Sequence, residues 1–229
     1  MPNRTIALAA TLSAALLGGS ASPTQGQADV PRVAVMDFTS FMMGQAGSQV
    51  NLGKAISAML VTEFSGREGI QVIERAELNA MIEEQDLTLL GRVQESQAIE
   101  LGKMLGVQYI LLGQVTSIVD NLRMDIRAVD VETSEILTVL KKSDKTSELL
   151  SVVVGLADEF GEQLNLAPPS QREEAESIPV SATIEFSRAI DFEDRGEIEQ
   201  AIEHYEATLA IYENHRDARR ALERLRRGT

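Results

Sequence analysis

The stretch from residue 98 to residue 119 constrains the fold of this chain most strongly. Leu101 and Leu105 recur at helical spacing, and Gly106 stands where a helix commonly ends in a left-handed residue. The residues that follow, Tyr109-Ile-Leu-Leu, are apolar on both faces, as in a central strand of a sheet. Because the stretch contains no group suited to catalysis, it favours a structural or binding role over an enzymatic one.

The residues around this stretch predict an α/β domain of the α+β type, in which a mixed, partly antiparallel sheet packs with helices. Residues 39–50 predict a loop, because Gly44 and Gly47 lie there among Ser and Gln. Asp120-Asn121 predicts a tight turn, and the alternation that follows it indicates a strand with one face in water. Strands are predicted at residues 33–38, 70–74, 109–119, 122–128 and 136–142, and helices at 52–64, 77–87, 98–105 and 148–164.

The composition changes at the end of this domain, which we place at 29–166. Residues 167–181 are bounded by prolines, charged and poor in apolar side chains, and they predict a linker. Residues 182–229 predict a small all-α helical hairpin, with Gly196 at the break between its helices.

The first 28 residues have the features of a signal peptide. Arg4 gives a positive start, and residues 6–17 form an apolar run that is too short to span a bilayer comfortably. Gly26 and Ala28 place small side chains at the −3 and −1 positions of a cleavage site. We therefore expect export and cleavage before Asp29, with the mature protein in the periplasm and any attachment to the outer membrane made through a partner.

Composition excludes several classes of function. The formal net charge of −14 argues against binding nucleic acid or an anionic membrane surface, both of which need basic patches. The chain has no cysteine, so disulfides, thiolate metal sites and acylation of an N-terminal cysteine are excluded. Tryptophan is absent, which disfavours a stacking platform for bases or sugars.

No catalytic, cofactor or metal site is predicted. Residues 47–55 lie between a strand and a helix, as a phosphate-binding loop would, but the spacing of their glycines is wrong and Ala55 replaces the Mg²⁺-binding Ser or Thr. His204 and His215, the two histidines of the chain, are too far apart in sequence to indicate a zinc site.

Five segments carry a resemblance to a known family over roughly residues 33–164. They stand in the family's order and spacing, and together they resemble the curli production assembly/transport component family, CsgG. The resemblance implies a periplasmic α/β domain that assembles or docks with other envelope proteins. The segments are Asn51-Leu-Gly-Lys-Ala-Ile-Ser, Val72-Ile-Glu-Arg-Ala-Glu-Leu, Glu83-Glu-Gln, Leu101-Gly-Lys-Met-Leu-Gly-Val-Gln-Tyr-Ile-Leu-Leu-Gly-Gln-Val and Val129-Asp-Val-Glu-Thr-Ser-Glu-Ile-Leu.

Three features depart from the secretion pore of that family. The pore is acylated, and this chain has no cysteine to acylate. The pore also has two long membrane hairpins, and here only Asp120-Asn121 and residues 143–146 stand at those places. Finally, Ser134 occupies a turn position where the family favours glycine, which predicts a different turn or modest strain.

The C-terminal residues resemble a tetratricopeptide-type helical hairpin. Gly196 would form the turn between the helices, Ala201 would allow their close approach, and Tyr205 would be the packing aromatic. Since one full repeat cannot normally stand alone, we expect the hairpin to lean on a partner, on another copy or on the main domain.

We predict a non-enzymatic periplasmic scaffold or adaptor that docks envelope or outer-membrane proteins in assembly or secretion. The alternative is a component or accessory ring of a curli-type outer-membrane secretion pore, and homo-oligomerisation is left open. A second interpretation of the arginines in the last helix is that they are favourable at a helix C-terminus and pair with Glu213 and Glu223, without contacting a partner. The predicted partner-binding residues are Phe192, Tyr205, Tyr212, Arg216, Arg219 and Arg220.

Overall fold

A mixed sheet of six strands forms the middle of the described part of the chain, and seven helices pack against it or against one another. The computed structural model describes residues 30–43, 52–84, 95–119, 121–169 and 177–228. The predicted α+β fold is confirmed. The strands are β1 (Arg32–Val35), β2 (Thr39–Met43), β3 (Gln71–Val72), β4 (Tyr109–Ile118), β5 (Asn121–Asp130) and β6 (Ile136–Lys145); the helices are α1 (Leu52–Ser65), α2 (Arg75–Glu84), α3 (Glu95–Leu105), α4 (Leu149–Gln163), α5 (Val180–Asp194), α6 (Ile198–Ile211) and α7 (Arg216–Gly228).

Strand β4 organises the sheet, as the sequence predicts. The strand order is β3-β1-β4-β5-β6, and β2 pairs with β4 beyond the end of β1. Strand β1 pairs in parallel with β3 and β4, and β2 pairs in parallel with β4, whereas β4, β5 and β6 form an antiparallel meander. Gly106 ends α3 with a φ of 62°, which is the left-handed conformation expected of it.

Strand β2 lies where the sequence predicts a loop, and that prediction is wrong for residues 39–43. Thr39–Met43 pairs in parallel with residues 114–118 of β4. The reason is tertiary: β1 pairs with β4 only up to Leu111, so β4 extends past it and needs another partner for its backbone groups. The rest of the predicted loop, residues 44–50, lies outside the described residues.

The turn between β4 and β5 falls one residue earlier than predicted. Ile118 pairs with Asn121, so Asn121 belongs to β5, and Val119 is the turn residue with a φ of 57°. In the following turn, Ser134 has a φ of 61°, which confirms the predicted strain at this non-glycine position. The carboxylate of Asp130 accepts a hydrogen bond from the Thr133 amide at 2.8 Å and so stabilises that turn.

One face of the sheet is buried under α1 and α4. Leu111 and Val115 of β4 lie in one apolar cluster with Ile56 of α1 and Leu156 of α4. Phe38, which connects β1 and β2, is also in this cluster and is 1% exposed. This face holds most of the core.

Gly113 of β4 makes room for the Phe38 ring. A Cβ at Gly113 would lie 2.6–2.8 Å from three ring atoms of Phe38, closer than carbon atoms can approach. The chain can therefore cross from β1 to β2 with its aromatic side chain pressed against the strand.

The opposite face of the sheet is covered only in part. Helices α2 and α3 place Leu78 and Leu101 against Ile110 of β4 and Val129 of β5, in a second apolar cluster. We call this side of the sheet the α2/α3 face. The predicted helix 77–87 begins at Arg75, and its last residues, 85–87, lie outside the described part.

The C-terminal helices pack on the main domain. The hairpin was expected to lean on a partner, on another copy or on the main domain, and the structure shows the main domain. Ala182 and Phe186 of α5 and Tyr205 of α6 belong to the same apolar cluster as the sheet and α1. Burying one such large side chain contributes about 1.5–3 kcal/mol. The hairpin is thereby attached along its length rather than held by the linker alone.

The connection between the two predicted domains is described only at its ends. The Ser177 hydroxyl donates to the Ser147 carbonyl at 2.7 Å. The middle of the predicted linker and the predicted signal peptide lie outside the described residues. None of the described helices combines the length and the apolar character needed to cross a membrane.

Candidate interaction surfaces

A polar network joins the hairpin to the main domain, and Asp194 is its centre. Asp194, the last residue of α5, accepts hydrogen bonds from Lys54 Nζ at 2.8 Å, from the Arg75 guanidinium at 3.3 Å and from the Asn79 amide at 3.0 Å. Arg75 also pairs with Asp37, which follows β1. We call these residues, together with Asp191, the Asp194 network.

Charges in the Asp194 network are balanced within it. Lys54 lies 2.7 Å from Asp191 as well as 2.8 Å from Asp194. Burial lowers the pKa of Lys54, but the hydrogen bonds to the two carboxylates outweigh that effect and raise its pKa overall. Because each cation meets carboxylates from another part of the chain, the network acts as a joint between α1, α2 and α5.

A second polar contact fixes α7 on α1. Arg216 pairs with Glu63 at 2.6 Å, and Glu63 is 8% exposed. The Thr62 hydroxyl donates to Asp217. Arg216, predicted to contact a partner, is therefore occupied by an internal ion pair.

The three predicted aromatic residues do not form one groove. Phe192 is half-buried, its ring stacks on that of His204 with centroids 5.0 Å apart, and the Arg195 guanidinium lies over it at 4.6 Å. Tyr205 is 1% exposed and belongs to the core, so it packs the hairpin and does not line a surface. Tyr212 is half-buried and lies against the ring of His215, with centroids 6.4 Å apart.

Tyr205 has a defined internal partner. Its hydroxyl donates to Glu193 Oε2 at 2.6 Å. Burial, and then the negative charge of Glu193, raise the pKa of Tyr205 above its ordinary value. Its role is the packing aromatic of the hairpin that the sequence predicts.

Three arginines of α7 pair with acidic residues of the C-terminal helices. Arg219 donates to the Glu213 carbonyl at 2.6 Å, and Arg220 is exposed. One of the ion pairs lies within α7 and the others reach α5 and α6, so the C-terminal helices together, rather than α7 alone, neutralise these charges. Arg219 and Arg220 are the predicted cations nearest to solvent. The three ion pairs are Arg224 with Glu193, Arg226 with Glu206 and Arg227 with Glu223.

Both histidines have structural contacts. His204 Nδ1 lies 2.6 Å from Glu185. His215 is 1% exposed, stacks on Phe186 with centroids 4.5 Å apart, and accepts a hydrogen bond at Nδ1 from the Ala218 amide at 3.3 Å. Burial lowers the pKa of His215 to about 4, so it is neutral at physiological pH.

A further surface, which the sequence analysis missed, lies on the half of the α2/α3 face that α2 and α3 leave uncovered. The pairing register places one residue from each of four neighbouring strands in each row across it. We call this surface the open sheet face. Its rows are Thr39, Gln114, Asp125 and Lys141; Phe41, Thr116, Arg123 and Ser143; and Met43, Ile118, Asn121 and Lys145; Arg127 and Val139 border it on the side of α3.

Comparison with known proteins identifies the main domain. The family model of the curli production assembly/transport component CsgG matches residues 16–121. This part of the chain is therefore similar to the CsgG family. The match covers slightly less than half of the chain and includes β1 to β4 with α1, α2 and α3. The predicted resemblance to this family is confirmed, and four of the five segments lie within the match.

Solved structures give weaker similarities. The C-terminal domain of LpoB from Salmonella enterica matches with a TM-score of 0.42 and 16% identity, covering 52% of this chain and 86% of that one. Lipoprotein GNA1162 from Neisseria meningitidis matches with a TM-score of 0.44 and 15% identity, covering 58% and 98%. The PelC dodecamer from Paraburkholderia phytofirmans gives 0.36 and 14%, covering 62% and 89%. A search of curated proteins found no relative.

Proposed function

We propose that this protein is a non-enzymatic scaffold of the cell envelope that docks other proteins, with its C-terminal hairpin fixed to its CsgG-like domain. The observation that carries this proposal is the Asp194 network together with the shared core, because they hold the hairpin and the domain in one arrangement. The CsgG family match supports a periplasmic or envelope protein engaged in assembly or transport. The finer role, an adaptor between proteins, is our proposal.

The chemistry of the polar side chains supports a scaffold rather than an enzyme. Lys54, Arg75 and Asp194 form the densest polar cluster between the two parts, and each of them is engaged in an ion pair. A catalytic acid, base or nucleophile needs a group that can exchange a proton or attack a substrate. Residues paired in this way instead stabilise a joint.

The test is capture of specific partners by the exported protein. The mature chain, immobilised without detergent, is incubated with envelope extract from the source cells, and retained proteins are identified and then verified by pairwise binding of the purified proteins. We expect at least one protein that binds directly. The absence of any direct protein partner, or a measured catalytic turnover by the purified chain, would contradict the proposal.

The predicted hairpin residues can be tested in the same assay. Removing residues 182–229 is unsuitable, because Ala182 and Phe186 belong to the core. Point substitutions at the surface test these residues without disturbing the core. Phe192→Ala and Arg220→Glu should each weaken capture of the partner if Phe192 and Arg220 contact it. Glu199→Gln, at another exposed position of the hairpin, is the control and should leave capture unchanged.

The second candidate function is an accessory ring of a curli-type secretion pore. The description of the matching family, a curli production assembly/transport component, favours it. Light scattering on the mature protein separates the two candidates. A closed ring would favour the pore accessory, and a monomer or dimer would favour the adaptor.

A further inference from the structure

The open sheet face has an apolar side. Phe41 is 52% exposed, Met43 is 57% exposed, and Ile118, on the neighbouring strand, is 46% exposed. Met43 and Ile118 are register partners, and Phe41 lies one row away on the same face. Single exposed apolar residues are ordinary, but three neighbours on adjacent strands form a continuous patch, which is typical of a binding surface.

The other side of the open sheet face is basic. Arg123 and Arg127 on β5 and Lys141 and Lys145 on β6 are exposed there, with Asp125 as the single acidic residue among the described side chains of this face. Arg123 pairs with Asp125 and Arg127 pairs with Glu95 of α3, so the four cations and these two carboxylates give a local charge of +2, whereas the whole chain has a net charge of −14. An acidic partner would be repelled by most of the protein and attracted to this face.

The covered half of the same face indicates the shape of the occupant. There, α2 and α3 lie on the sheet and bury Leu78 and Leu101 against it. At the boundary, Glu95 of α3 pairs with Arg127 at 3.1 Å. Helix α3 of the chain thus packs the apolar Leu101 against the sheet and pairs the carboxylate of Glu95 with Arg127 at the edge of the open sheet face.

We infer that the open sheet face binds an amphipathic helix of a partner protein, with its apolar stripe on Phe41, Met43 and Ile118 and its acidic residues on Lys141 and Lys145. This inference rests on the proposed docking function and names the chemistry of the partner. The partner helix would lie beside α3 and extend the helical layer over the rest of the sheet. The four strands of this face are separated by three spacings of about 4.8 Å, and the resulting width is roughly the diameter of one helix with its side chains.

The first test uses a synthetic peptide as the probe. The peptide, of about 18 residues, carries leucines at i, i+3, i+4 and i+7 with glutamates beside them, and its counterpart carries lysines in place of the glutamates. Binding is measured by calorimetry, and the site is located by amide shifts of the isotope-labelled protein. We expect the acidic peptide to bind the mature protein at least about tenfold more tightly than the lysine peptide, with shifts on β2, β4, β5 and β6.

Charge reversal decides whether these lysines form the site. The double variant Lys141→Glu with Lys145→Glu should weaken binding of the acidic peptide by about tenfold or more, and Phe41→Ser should weaken it as well. Arg188→Glu is the control, because Arg188 is exposed on α5, whose buried residues belong to the apolar cluster on the other face of the sheet, and it should change binding less than about twofold. Circular dichroism and the thermal midpoint confirm that the variants are folded.

The inference is overturned if the acidic peptide does not bind, if the double variant binds it equally well, or if the amide shifts map to another surface. The inference also fails if the acidic peptide does not bind and the wild-type protein instead binds vesicles of phosphatidylglycerol and phosphatidylethanolamine, with that binding lost in the double variant. That result would make this face a lipid-binding surface. If the native partner of the capture experiment still binds the double variant, this inference fails and the scaffold function stands. If no native partner exists, the scaffold function fails.

Discussion

Replacing Asp194 with Asn should loosen the joint between the hairpin and the CsgG-like domain. The substitution keeps the shape of the side chain and removes the charge that Lys54 and Arg75 share. Breaking a buried ion pair by removing one partner costs about 3–5 kcal/mol. Asp194 and Lys54 are each 21% exposed at their side chains, and Asp191 and Asp37 remain, so we expect a smaller loss of about 2 kcal/mol.

The free energy of unfolding of the mature chain is measured by urea denaturation followed by circular dichroism. Glu223→Gln is the control, because the Arg227–Glu223 pair is 3.7 Å long with side chains 79% and 61% exposed. It should cost less than about 0.5 kcal/mol. A double-mutant cycle of Asp194→Asn with Lys54→Met should give a coupling energy of about 1 kcal/mol or more.

A free energy of unfolding for Asp194→Asn within about 0.5 kcal/mol of the wild type would show that Asp194 does not stabilise the joint. Unfolding of the wild-type chain in two separate transitions would refute the reasoning, since the shared core requires the hairpin and the domain to unfold together.

Three further predictions concern single residues. Gly113→Ala forces a Cβ against the Phe38 ring and should cost about 1–3 kcal/mol in urea denaturation, whereas Gly66→Ala, whose nearest contacts would be at 3.7 Å and 3.8 Å, should have little effect. Ser134→Gly relieves the φ of 61° and should raise the free energy of unfolding by about 0.5–1 kcal/mol; a loss would contradict strain in this turn. The pKa of His215 is lowered from 6.5 to about 4 in the folded chain, so the unfolded chain binds the proton more tightly and stability falls as the pH drops through this window. The loss approaches about 3 kcal/mol near pH 4 and should be absent in His215→Asn, and an unchanged pH profile in that variant would exclude His215 as the cause.

The open sheet face was only partly predictable from the sequence. The alternation of charged residues along β5 correctly predicted that Arg123, Asp125 and Arg127 face water. The apolar half of the same surface was missed, because Phe41 and Met43 were assigned to a loop by composition. The exposed alternation of β5 was a signal for the open sheet face, but its extent depends on which strands lie beside it and which helices cover it.

The C-terminal hairpin was likewise only partly predictable from the sequence. Gly196, with a φ of 74°, forms the turn, and Tyr205 packs between the helices, both as the resemblance to a tetratricopeptide-type hairpin implied. The sequence could not decide what the hairpin rests on, since its apolar stripe fits any apolar surface. The structure joins Phe186 to the core of the main domain and gives Arg216 an internal partner in Glu63.

Local pattern by itself determined the helices, the antiparallel meander of β4 to β6 and the left-handed ends at Gly106 and Gly196, because spacing, capping and turn chemistry act over a few neighbouring residues. Tertiary structure alone decided that Thr39–Met43 is a strand, since its pairing satisfies backbone groups of β4 that lie far away in the sequence. It also decided the joint at Asp194 and the extent of the open sheet face. Both depend on the relative placement of elements that are distant in the chain, and single-sequence periodicity does not encode that placement.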